Sequence, residues 1–161
     1  MSAMSDRAQT KGAITLDGVS KQIIEQLQQD GRRSYASIGK AVGLSEAAVR
    51  QRVQRLTDSG VMQIVAVTDP LQLGFGRQAM VGINVDGSVQ PVADALSEMD
   101  EVIYVVMTAG TYDVLCEVVS TGDEELLDLV SARIRAVPGV RTTETFVYLK
   151  LAKQTYSWGV R

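Results

Sequence analysis

Histidine is absent from this chain of 161 residues, and cysteine occurs once, as Cys116. Without histidine the chain can build neither a Ser-His-Asp triad, nor a Cys-His pair, nor a histidine-ligated metal site. A single thiol forms no internal disulfide and is too little for a cysteine-rich zinc site, which agrees with a reducing cytoplasm. The sequence therefore predicts no catalytic residue, no metal site and no cofactor, and we do not expect an enzyme.

Long apolar runs are missing as well. No stretch approaches the roughly 18 apolar residues of a membrane-spanning helix, and the polar segment Met1–Lys11 lacks the apolar stretch of a secretory signal. Hydrophobic residues nevertheless make up 45% of the chain and charged residues 22%, values typical of a folded globular protein. We expect a cytoplasmic protein with no membrane partner, in which residues 1–15 form a disordered N-terminal tail.

Positive charge is concentrated in the first part of the chain. Residues 1–60 contain nine Lys and Arg against six Asp and Glu, a net charge of +3, whereas residues 61–161 contain seven against thirteen, a net charge of −6. A basic segment joined to an acidic one suggests two modules, one of which faces a polyanion such as DNA. A chance distribution of the charges is the alternative.

Three short helices are predicted before residue 60. Apolar residues recur there at helical spacing, Asp and Ser residues stand at suitable N-cap positions, and glycines stand where helices should end. The helices are expected over Asp17–Gln29, Ser34–Val42 and Glu46–Ser59. Val61–Thr68 then reads as a strand, which Asp69-Pro70 ends.

After Gly76 the pattern changes to the alternation of half-buried strands, interrupted by two helical stretches. Strands are expected around Ala79–Val85, Val102–Met107, Val114–Val118 and Thr145–Leu151, and helices around Val89–Met99 and Asp123–Val137. The order βαββαβ is ferredoxin-like, so the predicted fold class is α+β.

The third helix has two different faces. Val49, Val53 and Leu56 face the core, whereas Arg and Gln residues, which bond guanine and adenine edges in the major groove, lie on the opposite side. Together with the turn at Gly43 this is the outline of a DNA-binding helix-turn-helix, although a merely solvated amphipathic helix is the alternative. Arg52 lies at the flank of this helix and is better placed for a phosphate contact, as are Arg32, Ser34, Ser37 and Lys40. The predicted DNA-binding residues are Ser34, Ser37, Lys40, Ser45, Ala47, Arg50, Gln51, Arg52, Gln54 and Arg55.

Two halves of the sequence resemble one family. The segment IGKAVGLSEAAVRQRVQRLTDSGVM, preceded by LDGVSKQIIEQLQQDGRRS, resembles the winged-helix half of the leucine-responsive/asparagine-regulator (Lrp/AsnC) family of prokaryotic regulators. AGTYDVLCEVV resembles the family's Gly-x-Tyr-Asp signature, and VPGVRTTETFVYL resembles its closing strand. The resemblance covers about Leu16 to Leu151. It implies a winged helix-turn-helix domain over residues 16–62, a linker strand and hinge over 63–76, and a ferredoxin-like effector-binding and oligomerisation domain over 77–161.

The Gly110–Asp113 turn is a second candidate site. Glycine leaves backbone N–H groups uncovered for a carboxylate, and Asp113 offers an acceptor for an ammonium, which makes a minimal receptor for an amino acid. An ordinary hairpin turn is the alternative. The resemblance implies that this turn lines an effector pocket between neighbouring dimers. By position the ligand-binding residues would be Gly110, Thr111, Tyr112 and Asp113, with Thr143 and Thr145 as neighbours.

An apolar sheet face predicts association. In a ferredoxin-like fold both helices cover one face of the sheet, and water is tolerated on the open face only if that face is polar. Here both sets of alternating residues are largely apolar, which indicates an interface and a homo-oligomer. The sets are Val114, Cys116 and Val118 against Leu115 and Val119, and Val147 and Leu149 against Phe146 and Tyr148. The resemblance implies dimers that assemble further, commonly into octamers.

The resulting prediction is a nucleoid-associated transcriptional regulator that binds double-stranded DNA and responds to a free amino acid at the contact between dimers. An architectural chromosome-binding protein without effector response is the main alternative. An enzyme built on Asp123-Glu124-Glu125 is a second, but those residues are better explained by the dipole of the helix they begin. A regulatory subunit docked on an enzyme is a third, and it would have no need of the Arg-rich helix.

Overall fold

The computed structural model describes residues 16–155 and 159–160. Within these residues the chain forms two compact units, residues 16–66 with 153–155 and 159–160, and residues 67–152. The predicted disordered tail over residues 1–15 lies outside the described residues. Among the helices that are described, none is long and apolar enough to cross a membrane.

The first unit contains the three predicted helices, α1 (Gly18–Gln29), α2 (Tyr35–Val42) and α3 (Glu46–Asp58). Each begins after a side chain that accepts a hydrogen bond from a backbone N–H three residues on: Asp17 at 2.7 Å, and Ser34 and Ser45 at 3.2 Å. The N-caps expected at Asp17 and Ser45 are therefore confirmed, whereas Ser34, expected as the first residue of its helix, is the cap before α2. The core of this unit contains Ile23, Leu27, Ile38, Val49 and Val53. Full burial of one such side chain contributes roughly 1.5–3 kcal/mol.

The turn between α2 and α3 depends on two glycines. Gly43 ends α2 in the left-handed region with φ +74°. Gly39 is buried in α2, where its carbonyl oxygen accepts from the Leu44 amide at 2.9 Å. A Cβ on Gly39 would lie 2.5 Å from the Leu44 carbonyl oxygen, so only glycine allows this approach.

The strand predicted over Val61–Thr68 is not formed. The amides of Val61 and Met62 bond to the Leu56 carbonyl at 3.1 and 3.2 Å, and no residue from 61 to 69 belongs to a helix or strand. Val65 and Val67 are 68% and 57% exposed. A strand exists only beside a neighbour that completes its backbone hydrogen bonds, and no described strand pairs with this segment. A single 3₁₀ turn, Pro70–Leu73, follows.

The second unit has the predicted βαββαβ order. Its elements are β1 (Arg77–Val85), α4 (Val89–Ser97), β2 (Val102–Met107), β3 (Val114–Ser120), α5 (Asp123–Asp128) and β4 (Val140–Val147). Wider, π-type turns over Leu129–Ile134 extend α5. The four strands form one antiparallel sheet in the order β2-β3-β1-β4.

The last strand differs from its expected position. It was expected over Thr145–Leu151, but β4 begins at Val140, directly after a turn at Gly139 with φ +95°. The last backbone hydrogen bond between this segment and its partner β1 runs from the Tyr148 amide to the Gln78 carbonyl, at 2.9 Å. Leu149 lies beyond that bond and is 97% exposed. The alternation of the sequence continues past the point where the partner strand ends.

One face of the sheet is covered by α4 and by α5 with its extension. Ala79, Val81 and Ile83 lie opposite Val118, Cys116 and Val114 on this face, and all six are completely buried. They form one core with residues such as Leu96 and Ile134 from the helices.

The other face is open, and it carries apolar side chains together with polar ones such as Glu117 and Glu144. The strand register places Tyr104, Glu117, Met80 and Phe146 in one row across this face. Tyr104 is 51% and Phe146 44% exposed. Val119, which was expected on the apolar open face, is 4% exposed and therefore covered.

Candidate DNA-binding surface and ligand-binding turn

The predicted two faces of α3 are present in the structure. Val49, Val53 and Leu56 are buried. The other side of the helix is exposed to solvent, and it carries the residues predicted to meet DNA: Ala47, Arg50, Gln51, Gln54 and Arg55. The buried stripe fixes the rotation of the helix, so these side chains are presented together.

Two residues that the sequence analysis did not single out hold Arg50. Its Nη2 lies 2.9 Å from Glu46 Oε1, and its guanidinium carbon lies 5.4 Å from the centre of the Tyr35 ring. The first contact is an ion pair between residues four apart on one helix, which the spacing could have indicated. The second is a cation–π contact between α3 and the first residue of α2.

The remaining residues of this surface differ in whether their side chains already form hydrogen bonds within the chain. Gln54 donates to Asp58 Oδ1 at 2.7 Å. Gln51 and Arg55 form no side-chain hydrogen bond or ion pair with another residue that the structure describes. Both are therefore available to a ligand.

Arg52 was predicted to contact phosphate, but the structure places it between helices. Its Nη1 donates to Asp17 Oδ2 at 2.7 Å and to Ser20 Oγ at 3.1 Å, so the side chain joins α3 to the beginning of α1. Hydrogen bonds from Ser20, assisted by Arg52, lower the pKa of Asp17 from 3.8 to about 2. This arrangement makes Arg52 a positioning residue for α1 and α3.

The other phosphate candidates lie around the turn. The hydroxyls of Ser34 and Ser45 cap α2 and α3, and Ser34 Oγ donates to Ser37 Oγ at 2.9 Å. Lys40 is exposed and forms no ion pair within residues 16–155. Arg32 is also exposed and without an ion pair in this range, so both charges are free for a phosphate.

In the Gly110–Asp113 turn, Asp113 is already bonded. Its Oδ2 accepts from the Val85 amide at 2.8 Å, and its own amide donates to the Ile83 carbonyl at 2.9 Å. The carboxylate thereby fixes the end of β1, where the register with β4 shifts between Asn84 and Val85. Gly110 and Thr111 are exposed.

Tyr112 lies on the open face of the sheet. A Cβ on Gly82 would lie 2.8 Å from three of its ring atoms, so the ring rests on this glycine. The ring meets Phe146 edge to face at 6.2 Å, and its hydroxyl donates to the Glu144 carboxylate. That hydrogen bond is the main reason why the pKa of Tyr112 is raised.

The six predicted ligand residues do not converge on one cavity in a single chain. Thr143 and Thr145 lie opposite Ile83 and Val81, on the helix-covered side of the sheet, whereas Tyr112 lies on the open side. Thr143 Oγ1 accepts from Arg135 Nε at 2.9 Å. The turn and Thr143 do share one end of the sheet. Asp113 accepts from the amide of Val85, and the neighbouring Asn84 donates a hydrogen bond to Thr142 Oγ1 at 3.0 Å.

The acidic residues at the start of α5 are engaged in local structure. Asp123 forms an ion pair with Arg77 at 2.5 Å, and Glu125 accepts from the Thr121 amide and hydroxyl at 2.6 Å. Within the described residues no group of three His, Cys, Asp or Glu side chains is placed to hold a metal ion.

Comparison with known proteins covers both units. A family model described as the AsnC-type helix-turn-helix domain matches residues 16–57, and one described as a C-terminal dimeric alpha+beta barrel domain matches residues 75–161. The HTH-type transcriptional regulator FL11 of Pyrococcus horikoshii is 35% identical over 147 residues, covering 88% of this chain and 95% of that protein.

Solved structures share the fold. The leucine response regulatory protein LrpA of Mycobacterium tuberculosis is 30% identical with a TM-score of 0.78, covering 86% of this chain and 96% of that one. The transcriptional regulator NMB0573 of Neisseria meningitidis, solved as an L-Met complex, is 24% identical with a TM-score of 0.78, covering 89% and 96%. The two family domains in this order, on the observed fold, show that the chain belongs to the Lrp/AsnC family of DNA-binding transcriptional regulators.

Proposed function

We propose that this regulator reads DNA with the exposed side of α3, forms oligomers through the open face of its sheet, and responds to a free amino acid bound at the Gly110–Asp113 turn between neighbouring dimers. The observation that carries the DNA part is the outward row of Arg and Gln side chains on a helix whose rotation the core fixes. Arg50, Gln51, Gln54 and Arg55 meet base edges, and Lys40 meets phosphate.

The DNA-binding part is tested with Arg50→Ala and Lys40→Ala in duplex titrations at two salt concentrations. Arg50→Ala should weaken the preferred duplex more than other sequences. Lys40→Ala should weaken all duplexes alike and reduce the slope of log affinity against log salt by about 0.9, the value for one phosphate contact. Lys150→Ala, which removes an exposed charge from the second unit, is the control. Affinities that stay at the unmodified level in both variants would refute these roles.

The open face supports association of two copies. Its Tyr104 and Phe146 side chains are exposed in the single chain, and its Glu117 accepts a hydrogen bond from Gln78 Nε2 at 2.8 Å. A two-fold axis would pair this face with itself. The matching family model is described as dimeric, which supports the same proposal. Dimers then assemble further, up to octamers.

Association is tested by light scattering of Tyr104→Asp. Tyr104 stands at the β2 end of the row across the open face, so the new charge would have to be buried in the proposed interface, and the mean mass should fall to that of one chain. Leu127→Asp is the matched control, because Leu127 is also apolar and is 66% exposed but lies on α5. Equal behaviour of the two variants would move the interface elsewhere.

The effector part rests on the exposed backbone of Gly110 and Thr111 beside the carboxylate of Asp113. An amino acid would place its carboxylate on the backbone N–H groups and its ammonium near Asp113. The L-Met complex of the Neisseria regulator supports an amino acid as ligand for this fold. Because one oxygen of Asp113 holds Val85, a single chain offers only part of such a site, and the neighbouring copy has to complete it.

Calorimetry against the twenty amino acids tests this part. Asp113→Asn keeps an oxygen for the Val85 amide and removes the charge, so it should abolish binding without unfolding the turn. Unchanged binding by this variant would place the pocket elsewhere. If the unmodified protein binds DNA but none of the twenty amino acids, the architectural chromosome-binding alternative is favoured.

A further inference from the structure

The guanidinium of Arg50 is held from two directions before any DNA is bound. Glu46 contacts it along α3 through the 2.9 Å ion pair, and the Tyr35 ring of α2 lies below its guanidinium carbon. A guanidinium carries five N–H groups, and this ion pair uses one nitrogen, Nη2. The other N–H groups remain for the O6 and N7 acceptors of a guanine. The side chain of Arg50 therefore loses less conformational entropy when it binds a base than the side chain of an unrestrained arginine would.

The carboxylate of Glu46 limits what this surface can bind. Glu46 is exposed and is the first residue of α3, in the part of a recognition helix that approaches base edges. A phosphate next to it is repelled, and acceptor groups on the bases are repelled as well. The amino groups of cytosine and adenine are the base-edge donors in the major groove, and a glutamate favours the N4 amino group of cytosine because adenine also presents its N7 acceptor. The same carboxylate offsets the charge that would attract Arg50 to any phosphate.

We infer that Glu46 is a specificity-determining residue, which lowers the affinity for arbitrary DNA and confines Arg50 to guanine next to a base pair that offers a cytosine amino group. The inference rests on the DNA binding by α3 proposed above. It assigns to Glu46 a role beyond the stabilisation that any acidic residue gives to the first turn of a helix.

The experiment compares the full-length protein with Glu46→Gln and Glu25→Gln. Glu25 is an exposed residue of α1, so its replacement removes the same charge from the same unit but away from α3. Each protein selects duplexes from a random-sequence pool. Affinities for the selected duplex and for a scrambled duplex of equal composition are then measured by fluorescence anisotropy at 50 and 200 mM salt. Circular dichroism checks that the helices are retained.

For Glu46→Gln the ratio of selected to scrambled affinity should fall about fivefold or more, which corresponds to loss of roughly 1 kcal/mol of base discrimination. Its affinity for scrambled DNA should rise. If Arg50 of the variant contacts a phosphate, its binding of scrambled DNA also becomes more sensitive to salt. Raising the salt from 50 to 200 mM should then lower the affinity of the variant about 3.5-fold more than it lowers the affinity of the unmodified protein. The cytosine preference next to the guanine should disappear from the selected sequences. Glu25→Gln should keep the unmodified motif and ratio.

Two results would overturn the inference: an unchanged motif and ratio for Glu46→Gln, or an equal change for Glu25→Gln, which would mean that net charge alone acts. Both leave DNA binding itself intact. If the unmodified protein binds no duplex even at the lower salt concentration, the proposed function fails together with this inference.

Discussion

Replacement of Gly39 by alanine tests how closely α2 and α3 are joined. The new Cβ would lie 2.5 Å from the Leu44 carbonyl oxygen, and since real Cβ atoms are essentially never closer than 3.0 Å, this separation must grow by at least 0.5 Å. The obstacle is backbone, and the hydrogen bond from the Leu44 amide to Gly39 and the left-handed Gly43 hold it in place. Overpacking of this kind costs about 1–3 kcal/mol, against about 1 kcal/mol gained from the better helix propensity of alanine. We expect a net loss of up to about 2 kcal/mol.

The assay is urea denaturation followed by far-ultraviolet circular dichroism, with Gly18→Ala as the matched control. Gly18 is also helical, but a Cβ there meets no atom within 4 Å, so this variant should be as stable as the unmodified protein or slightly more stable. Because Gly39→Ala displaces α3 relative to α2, it should also weaken binding of the selected duplex. If Gly39→Ala matches Gly18→Ala in stability and binds DNA normally, the close approach does not limit this turn.

Two further predictions concern titration. The folded pKa of Asp17, about 2, lies below its ordinary value of 3.8, so the stability that its charge contributes is present above pH 4 and is lost as the pH falls towards 2. The unfolding free energies of the unmodified protein and of Asp17→Asn should therefore be measured across this interval, and their difference should vanish as the pH falls. A difference that stays constant would contradict the assignment. Burial raises the pKa of the Cys116 thiol to about 12. A thiol reagent at neutral pH should therefore modify Cys116 only after unfolding. Rapid modification of the folded protein would show that this core opens readily.

Local signals predicted the helices well. Asp17 and Ser45 are caps because a side-chain oxygen in that position satisfies a free N–H of the same segment, so no distant residue is needed to recognise them. The exposed side of α3 follows from helical spacing alone, since three apolar residues at that spacing have only one way to face a core.

The features that depend on a distant partner could not be predicted in this way. Val61–Thr68 has the pattern of a strand but no described neighbour, and β4 ends where β1 no longer faces it. Arg52 looks like any other basic residue of α3 until α1 places Asp17 beside it, 35 positions earlier in the chain. Asp113 likewise appears free in the sequence, because its bond to Val85 follows from the pairing of β1 with β3.

The ring of Tyr112 on Gly82 has a consequence for how this sequence can vary. Two positions thirty residues apart share one volume above the sheet, and any side chain at 82 takes space that the ring fills. The two sites should therefore covary among related regulators: alanine or a larger residue at 82 is expected where 112 is small, and an aromatic residue at 112 where 82 has no side chain.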